Sequence, residues 1–268
     1  MTRQLEAIIF DWAGTLVDFG SRAPLSAFMQ VFADAGIDIS ESETRTPMGT
    51  EKQEHIRRLL QMPRIRDAWQ AAHNTPATEA DVARLYKNLG PVQQRAIDHH
   101  SAAVPGATAA FSMARARGLK IGTTTGYSRN MIEGMLEAAA QQQLLPDSVV
   151  AADEAPGARP GPAAALRTVI DLGISCVSAC VKVDDTAPGI DEGRNAGMWT
   201  VAVVCSGNAL GLSLAQWQQL DEQQKKTQRD RAYRALESCG AHYLIDDVSE
   251  LEAVLVDINR RLALGETP

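Results

Sequence analysis

The chain has 268 residues, a formal net charge of -7, and 45% hydrophobic and 22% charged residues. That length exceeds one average domain and suits a core with a smaller domain inserted into it. The composition is that of a soluble globular protein with a sizeable core. The acidic balance argues against a nucleic-acid partner. No Lys/Arg cluster builds a basic face, and Arg57, Arg58, Arg64 and Arg66 are interleaved with apolar residues and acids, as on a solvated helix.

Met1-Thr2-Arg3-Gln4 leads straight into a strand-like segment with no apolar h-region, so no secretory signal is expected. No apolar run approaches the ~18 residues of a membrane span. In chain order, Ala7-Ile8-Ile9-Phe10 reads as a first strand. Residues 20–99 then read as several helices, with Pro24, Pro47, Pro63, Pro76 and Pro91 as starts or breaks. From there helices and strands alternate. The predicted helices are Gly106 to Arg117 and Ser128 to Ala140, with Ser128 as side-chain cap. The predicted strands are Leu119 to Gly122, Ser148 to Ala151, Cys180 to Val183, Thr200 to Val204 and, more weakly, His242 to Ile245. Gln216 to Arg234 reads as one solvated helix. The four cysteines form no CxxC pair and have no histidines at zinc spacing, which points to reduced thiols in a cytoplasmic protein.

This pattern predicts an α/β fold: a Rossmann-like, doubly wound parallel sheet formed by residues 1–19 and 100–268, with residues 20–99 as an inserted all-helical cap domain. Ligands of such sheets bind beyond the carboxyl ends of the strands. There the sequence places Asp11, then Thr123-Thr124-Thr125-Gly126, then Asp153 and Arg159, then Asp184-Asp185. A lone Asp after a strand is most often a turn residue. Acids, a Thr-Gly pair and an Arg at successive strand ends instead suggest a phosphoryl site. Clustered carboxylates repel unless a cation neutralises them, and Mg2+ is the natural hard ion for oxygen ligands shared with a phosphate. Thr125 and Gly126 offer a hydroxyl and backbone N–H groups to phosphoryl oxygens, and Arg159 offers a charged fork.

Asp11-Trp12-Ala13-Gly14-Thr15, Thr125-Gly126, Arg159 and Asp184-Asp185, in this order, resemble the haloacid dehalogenase superfamily. Its phosphatases usually carry a second Asp where Ala13 stands. Three stretches resemble one family within it, the phosphonatases (phosphonoacetaldehyde hydrolases): the Asp11 to Thr15 segment, Met48-Gly49 with Lys52 and His55, and Glu192 to Thr200. The segments Pro63-Arg64-Ile65 and Thr123 to Tyr127 fit as well.

The resemblance implies cleavage of a P–C bond, with Asp11 attacking phosphorus and Lys52 forming a Schiff base with the substrate aldehyde. An acid at position 13 is then dispensable. It implies metal ligation by Asp11, Asp185 and the backbone carbonyl of Ala13, and substrate contacts from Met48, Gly49, Thr125, Gly126, Tyr127 and Arg159. His55, at i+3 from Lys52, would share its helix face and shuttle protons. A homodimer is implied too. Some relatives carry Gly-Asp and, four residues later, a second Asp; here Asp184-Asp185 is followed by Gly189, so that Asp184 could take the outer role. Ser21 and Arg22 likewise replace a Cys-aromatic pair. The alternative is a phosphatase or phosphomutase acting on a C–O–P ester, against which Ala13 speaks.

Overall fold

The computed structural model describes residues 4–268, Asp98 by its backbone only. The signal-peptide reading of Met1 to Arg3 lies outside the described residues. Six parallel strands form one sheet: β1 (Ala7–Phe10), β2 (Lys120–Thr124), β3 (Ser148–Val150), β4 (Cys180–Asp184), β5 (Trp199–Val203) and β6 (Tyr243–Ile245). Their order is β3-β2-β1-β4-β5-β6, so the chain starts in the middle and winds outward in both directions, as a doubly wound Rossmann-like core does. β1, β4 and β5 are buried along their whole length, which explains their near-continuous apolar sequences.

Helices cover both faces. Ile8, Phe10, Val181 and Val183 pack with α6 (Ala107–Ala116), α7 (Arg129–Gln141) and α12 (Leu251–Ala263). Ala7, Ile9 and Cys180 pack on the other face with α8 (Ala163–Asp171). There Gly122 lets α8 approach closely, since a Cβ at 122 would lie 2.2 Å from Thr168 Cγ2. After β4, α9 (Ala187–Ala196) returns the chain to β5.

Between β1 and α6 lie five helices: α1 (Arg22–Asp34), α2 (Glu41–Arg45), α3 (Lys52–Gln61), α4 (Pro63–His73) and α5 (Glu79–His100). They enclose an apolar core of their own that includes Phe28, Phe32, Ile56, Leu59, Ile65, Trp69, Leu85 and Leu89. Each fully buried aromatic there contributes about 2–3 kcal/mol. Asp18 launches this segment by capping α1 with both carboxylate oxygens, on Arg22 N at 2.9 Å and Ala23 N at 2.8 Å.

Three local expectations are corrected. Pro91 does not break a helix but sits inside α5, where the flanking apolar face (Leu85, Leu89, Ile97) is buried and holds the helix together. Ser128 occupies the N-cap position of α7 without a side-chain capping bond; Asp153 Oδ1 accepts from Arg129 N at 2.8 Å instead. Gln216 to Arg234 divides into α10 (Leu214–Gln219) and α11 (Glu222–Leu236), because Asp221 and Gln224 build a capping box that starts a new helix.

Candidate active site

Strand register assembles the site. Phe10 pairs with Thr123 on one side and Val183 on the other, so one residue further along Asp11, Thr124 and Asp184 come level at the carboxyl edge. Asp11, Asp184 and Asp185 are all buried, and each offers an oxygen within 4.8 Å of the others'. Asp153 does not join them. It is exposed at the start of α7, so Asp184 supplies the third acid.

Arg159 enters from the loop after β3, and its side chain is only 6% exposed. Nη1 lies 2.9 Å from Asp11 Oδ1 and 3.4 Å from Asp184 Oδ2, Nη2 donates to Thr124 Oγ1 at 2.8 Å, and Nε donates to Glu192 Oε2 at 3.0 Å. Behind it lies Lys182, fully buried on β4. Its Nζ is 3.0 Å from Asp184 Oδ2, 3.2 Å from Glu192 Oε2 and 2.8 Å from Thr124 Oγ1. Sequence reasoning gave Thr124, Lys182 and Glu192 no role. The available signal was a lysine inside an otherwise apolar central strand, a position a charge occupies only when partnered.

Two cations, Arg159 and Lys182, thus face four carboxylates, Asp11, Asp184, Asp185 and Glu192. The remaining double negative charge fits a divalent cation. Asp185 bears this out: its Oδ1 is buried with no hydrogen-bond partner, while Oδ2 accepts from Asn208 N at 2.7 Å. Burial, Asp11 and Asp184 push the Asp185 carboxyl well above the usual range. Burial, and next Asp184, raise Asp11 to about 6 against the pull of Arg159. Protons held this way are what a metal displaces.

Two glycines find their reason here. A Cβ on Gly14 would lie 2.3 Å from Asp185 Oδ2, at a φ of +89° that L residues rarely adopt. A Cβ on Gly189 would lie 1.9 Å from Asp184 Oδ2. The Asp184 carboxylate therefore fills the space beside position 189.

The helical segment closes over this edge. The cavity lining includes Asp11, Ala13, Thr125, Gly126, Tyr127, Arg159 and Asp185 from the core, and Met48, Gly49 and Thr50 from the turn after α2 with Lys52 of α3. Contact is backbone-close at two of the glycines singled out in the sequence. A Cβ on Gly49 (φ +89°) would meet Thr186 Oγ1 at 2.3 Å, and one on Gly126 would meet Thr50 O at 3.3 Å. We expect Gly49→Ala to lower kcat/KM at least about tenfold and to cost about 1–2 kcal/mol of stability, because alanine is strained at this φ. The added methyl props the helical segment off Thr186 in the cavity lining. Steady-state kinetics beside a melting curve check this.

Lys52 begins α3, where the Glu51 carboxylate caps the helix on Gln53 N and Glu54 N. Lys52 is buried, with Nζ 4.5 Å from the Tyr127 ring centroid and 5.3 Å from that of Phe28. Burial lowers it from 10.5 to about 8, although Asp11 and Glu51 oppose the change. His55 is fully buried behind Phe28, stacked on it at 3.8 Å, and is not among the lining residues. Burial, and next Lys52, hold its imidazole well below the usual range, so it is neutral. Lys52 and His55 thus share a helix face but meet through the Phe28 ring. Arg22 turns away from the cavity, donating to Glu41 and to Gly211 O.

A family model for haloacid dehalogenase-like hydrolases matches residues 5–197. The chain belongs to that superfamily of hydrolases and, within it, to the phosphonoacetaldehyde hydrolase family. It is 49% identical over 265 residues to the phosphonoacetaldehyde hydrolase of Pseudomonas putida (strain W619), covering 99% of this chain and 96% of the relative. It is 48% identical over 265 residues, with the same coverage, to the enzyme of that name from Bordetella pertussis. Among solved structures, a phosphonoacetaldehyde hydrolase like protein from Oleispira antarctica superimposes with a TM-score of 0.98 at 46% identity, over 100% of this chain and 97% of that one. A β-phosphoglucomutase from Clostridium difficile, 19% identical, shares the fold at a TM-score of 0.71 over 97% of this chain and 99% of that one.

Proposed function

We propose that the chain hydrolyses phosphonoacetaldehyde to acetaldehyde and phosphate. The observation carrying this reading is the juxtaposition, across one cavity, of a buried Lys52 with a lowered pKa and the Asp11–Arg159 pair, with only a methyl group at Ala13.

The neutral Lys52 amine adds to the aldehyde carbon, and loss of water leaves an iminium. Asp11 then attacks phosphorus in line with the P–C bond. As that bond breaks, its electron pair moves into the iminium, giving an enamine on Lys52 and an acyl phosphate on Asp11. Protonation of the enamine carbon and hydrolysis of the resulting imine release acetaldehyde and the free amine. Water attacks the aspartyl-phosphate, releasing phosphate and restoring the carboxylate. Arg159, Thr125 and the Gly126 amide bind phosphoryl oxygens, Met48, Gly49 and Tyr127 shape the aldehyde side, and His55, stacked on Phe28, holds that ring beside Lys52. Asp11, Asp185 and the Ala13 carbonyl would hold the metal, which we assign as Mg2+. It would supply positive charge that offsets the carboxylates and the phosphoryl group.

The same reading takes residues 20–99 as a cap domain that opens to admit substrate over residues 1–19 and 100–268. It places the protein in the cytoplasm as a homodimer, with no nucleic-acid or membrane partner. Among the described residues no helix is long and apolar enough to cross a membrane.

A C–O–P ester would need its leaving oxygen protonated, and Ala13 has nothing to offer it. Presenting phosphonoacetaldehyde beside a panel of sugar phosphates separates the two chemistries. We expect phosphate from the phosphonate at a rate at least about 100-fold above any ester, and the reverse ranking would sink the P–C reading.

A further inference from the structure

Arg45 ends the short helix α2 on the helical segment, yet its guanidinium is spent on the core and on the residue where that segment begins. Nη1 donates to Gly20 O at 3.0 Å and to Asn208 Oδ1 at 2.9 Å, and Nη2 donates to Gly211 O at 2.9 Å. Among the described residues no carboxylate lies within ion-pair distance of it. A half-buried cation surrendered to neutral oxygens is a poor stabiliser, because its desolvation is not offset by an opposite charge. The closeness is built in: Gly211 has a φ of +73°, and a Cβ there would lie 2.9 Å from Arg45 Nε.

The Asn208 contact leads to the carboxylate cluster. The Asn208 side chain also donates back to Arg45 O at 3.4 Å, while its backbone N–H donates to Asp185 Oδ2 at 2.7 Å. The same loop is pinned on either side. Ser206 Oγ donates to Gly14 O at 2.8 Å, Gly20 N donates to Ser206 O at 2.7 Å, and a Cβ on Gly207 would be 2.3 Å from Asp185 Cβ. One side chain of the helical segment therefore grips the chain's entry into that segment at Gly20 and the loop that orients Asp185.

We infer that Arg45 is a positioning residue which, through Asn208, couples the seating of the helical segment to the orientation of Asp185 and hence to metal affinity. This rests on the reading of Asp185 as a metal ligand. Arg45 lies outside the cavity lining. It acts through the Asn208 amide, as the groups behind a metal ligand commonly do.

The test is calorimetric titration of Mg2+ into the full chain without substrate, for the parent, Arg45→Met and Arg45→Lys. The lysine variant keeps the charge but not the fork, and it decides the matter if Arg45→Met does not fold. With circular dichroism matching the parent, each variant is expected to bind Mg2+ roughly tenfold more weakly and to show a raised KM. A raised KM with Mg2+ affinity within twofold of the parent would make Arg45 a simple tether and overturn the coupling. A parent that binds no Mg2+ would overturn the metal reading, and the coupling with it.

Discussion

Lys52→Arg is expected to abolish phosphate release from phosphonoacetaldehyde, by on the order of 10⁴-fold or more, while leaving the fold intact. A guanidinium keeps the positive charge but cannot condense with an aldehyde. The parent, treated with borohydride and substrate, should carry a covalent adduct on Lys52 that the variant lacks. The pH profile gives an independent reading. Lowering Lys52 from 10.5 to about 8 multiplies the neutral amine near pH 7 by roughly 300. Activity that depends on that amine rises with pH up to about 8 and levels off above. The burial that achieves this costs stability. The folded state holds the Lys52 proton less tightly than the unfolded chain, so the cost is fully present below pH 8 and is relieved as pH climbs toward 10.5. Lys52→Met should therefore melt higher than the parent at pH 7, by about 1–3 kcal/mol, while being inactive. Full turnover in either variant would remove the Schiff base from the mechanism.

Asp11→Asn carries a loss of similar size, on the order of 10⁴-fold, for a different reason. An amide cannot attack phosphorus, and its nitrogen turns a donor toward Arg159 where Oδ1 now accepts at 2.9 Å. Iminium formation precedes the attack, so Asp11→Asn should still be trapped by borohydride on Lys52 although it releases no phosphate. Loss of trapping together with turnover would mean that Asp11 serves the aldehyde step, contrary to the order proposed.

How far the sequence carried this account depends on how local each signal was. β1, β4 and β5 were legible because strands buried on both faces need largely apolar residues. The ends of β1 and β4 were legible because Asp11 and Asp184-Asp185 break those runs abruptly. The proline pattern misled at Pro91, where packing along α5 outweighs one missing backbone bond. Gln216 to Arg234 read as one helix because its polar composition hides the capping box at Asp221. The contributions of Lys182, Glu192 and Thr124 are tertiary. Each belongs to a different element, and only strand register and the close packing of α9 on β4 bring them together behind Arg159. Asp153 failed as a site acid because its carboxylate meets the orphan amide of Arg129 first. Gly49 was singled out by resemblance alone, and the close approach to Thr186 gives it a physical reason.

The most direct test measures phosphate and acetaldehyde together as phosphonoacetaldehyde is consumed, with Mg2+ present and after its removal by chelation. The account predicts the two products in equal amounts with Mg2+, near-complete loss of both without it, and recovery on adding it back. Phosphate without acetaldehyde, or undiminished turnover in the chelated enzyme, would contradict it.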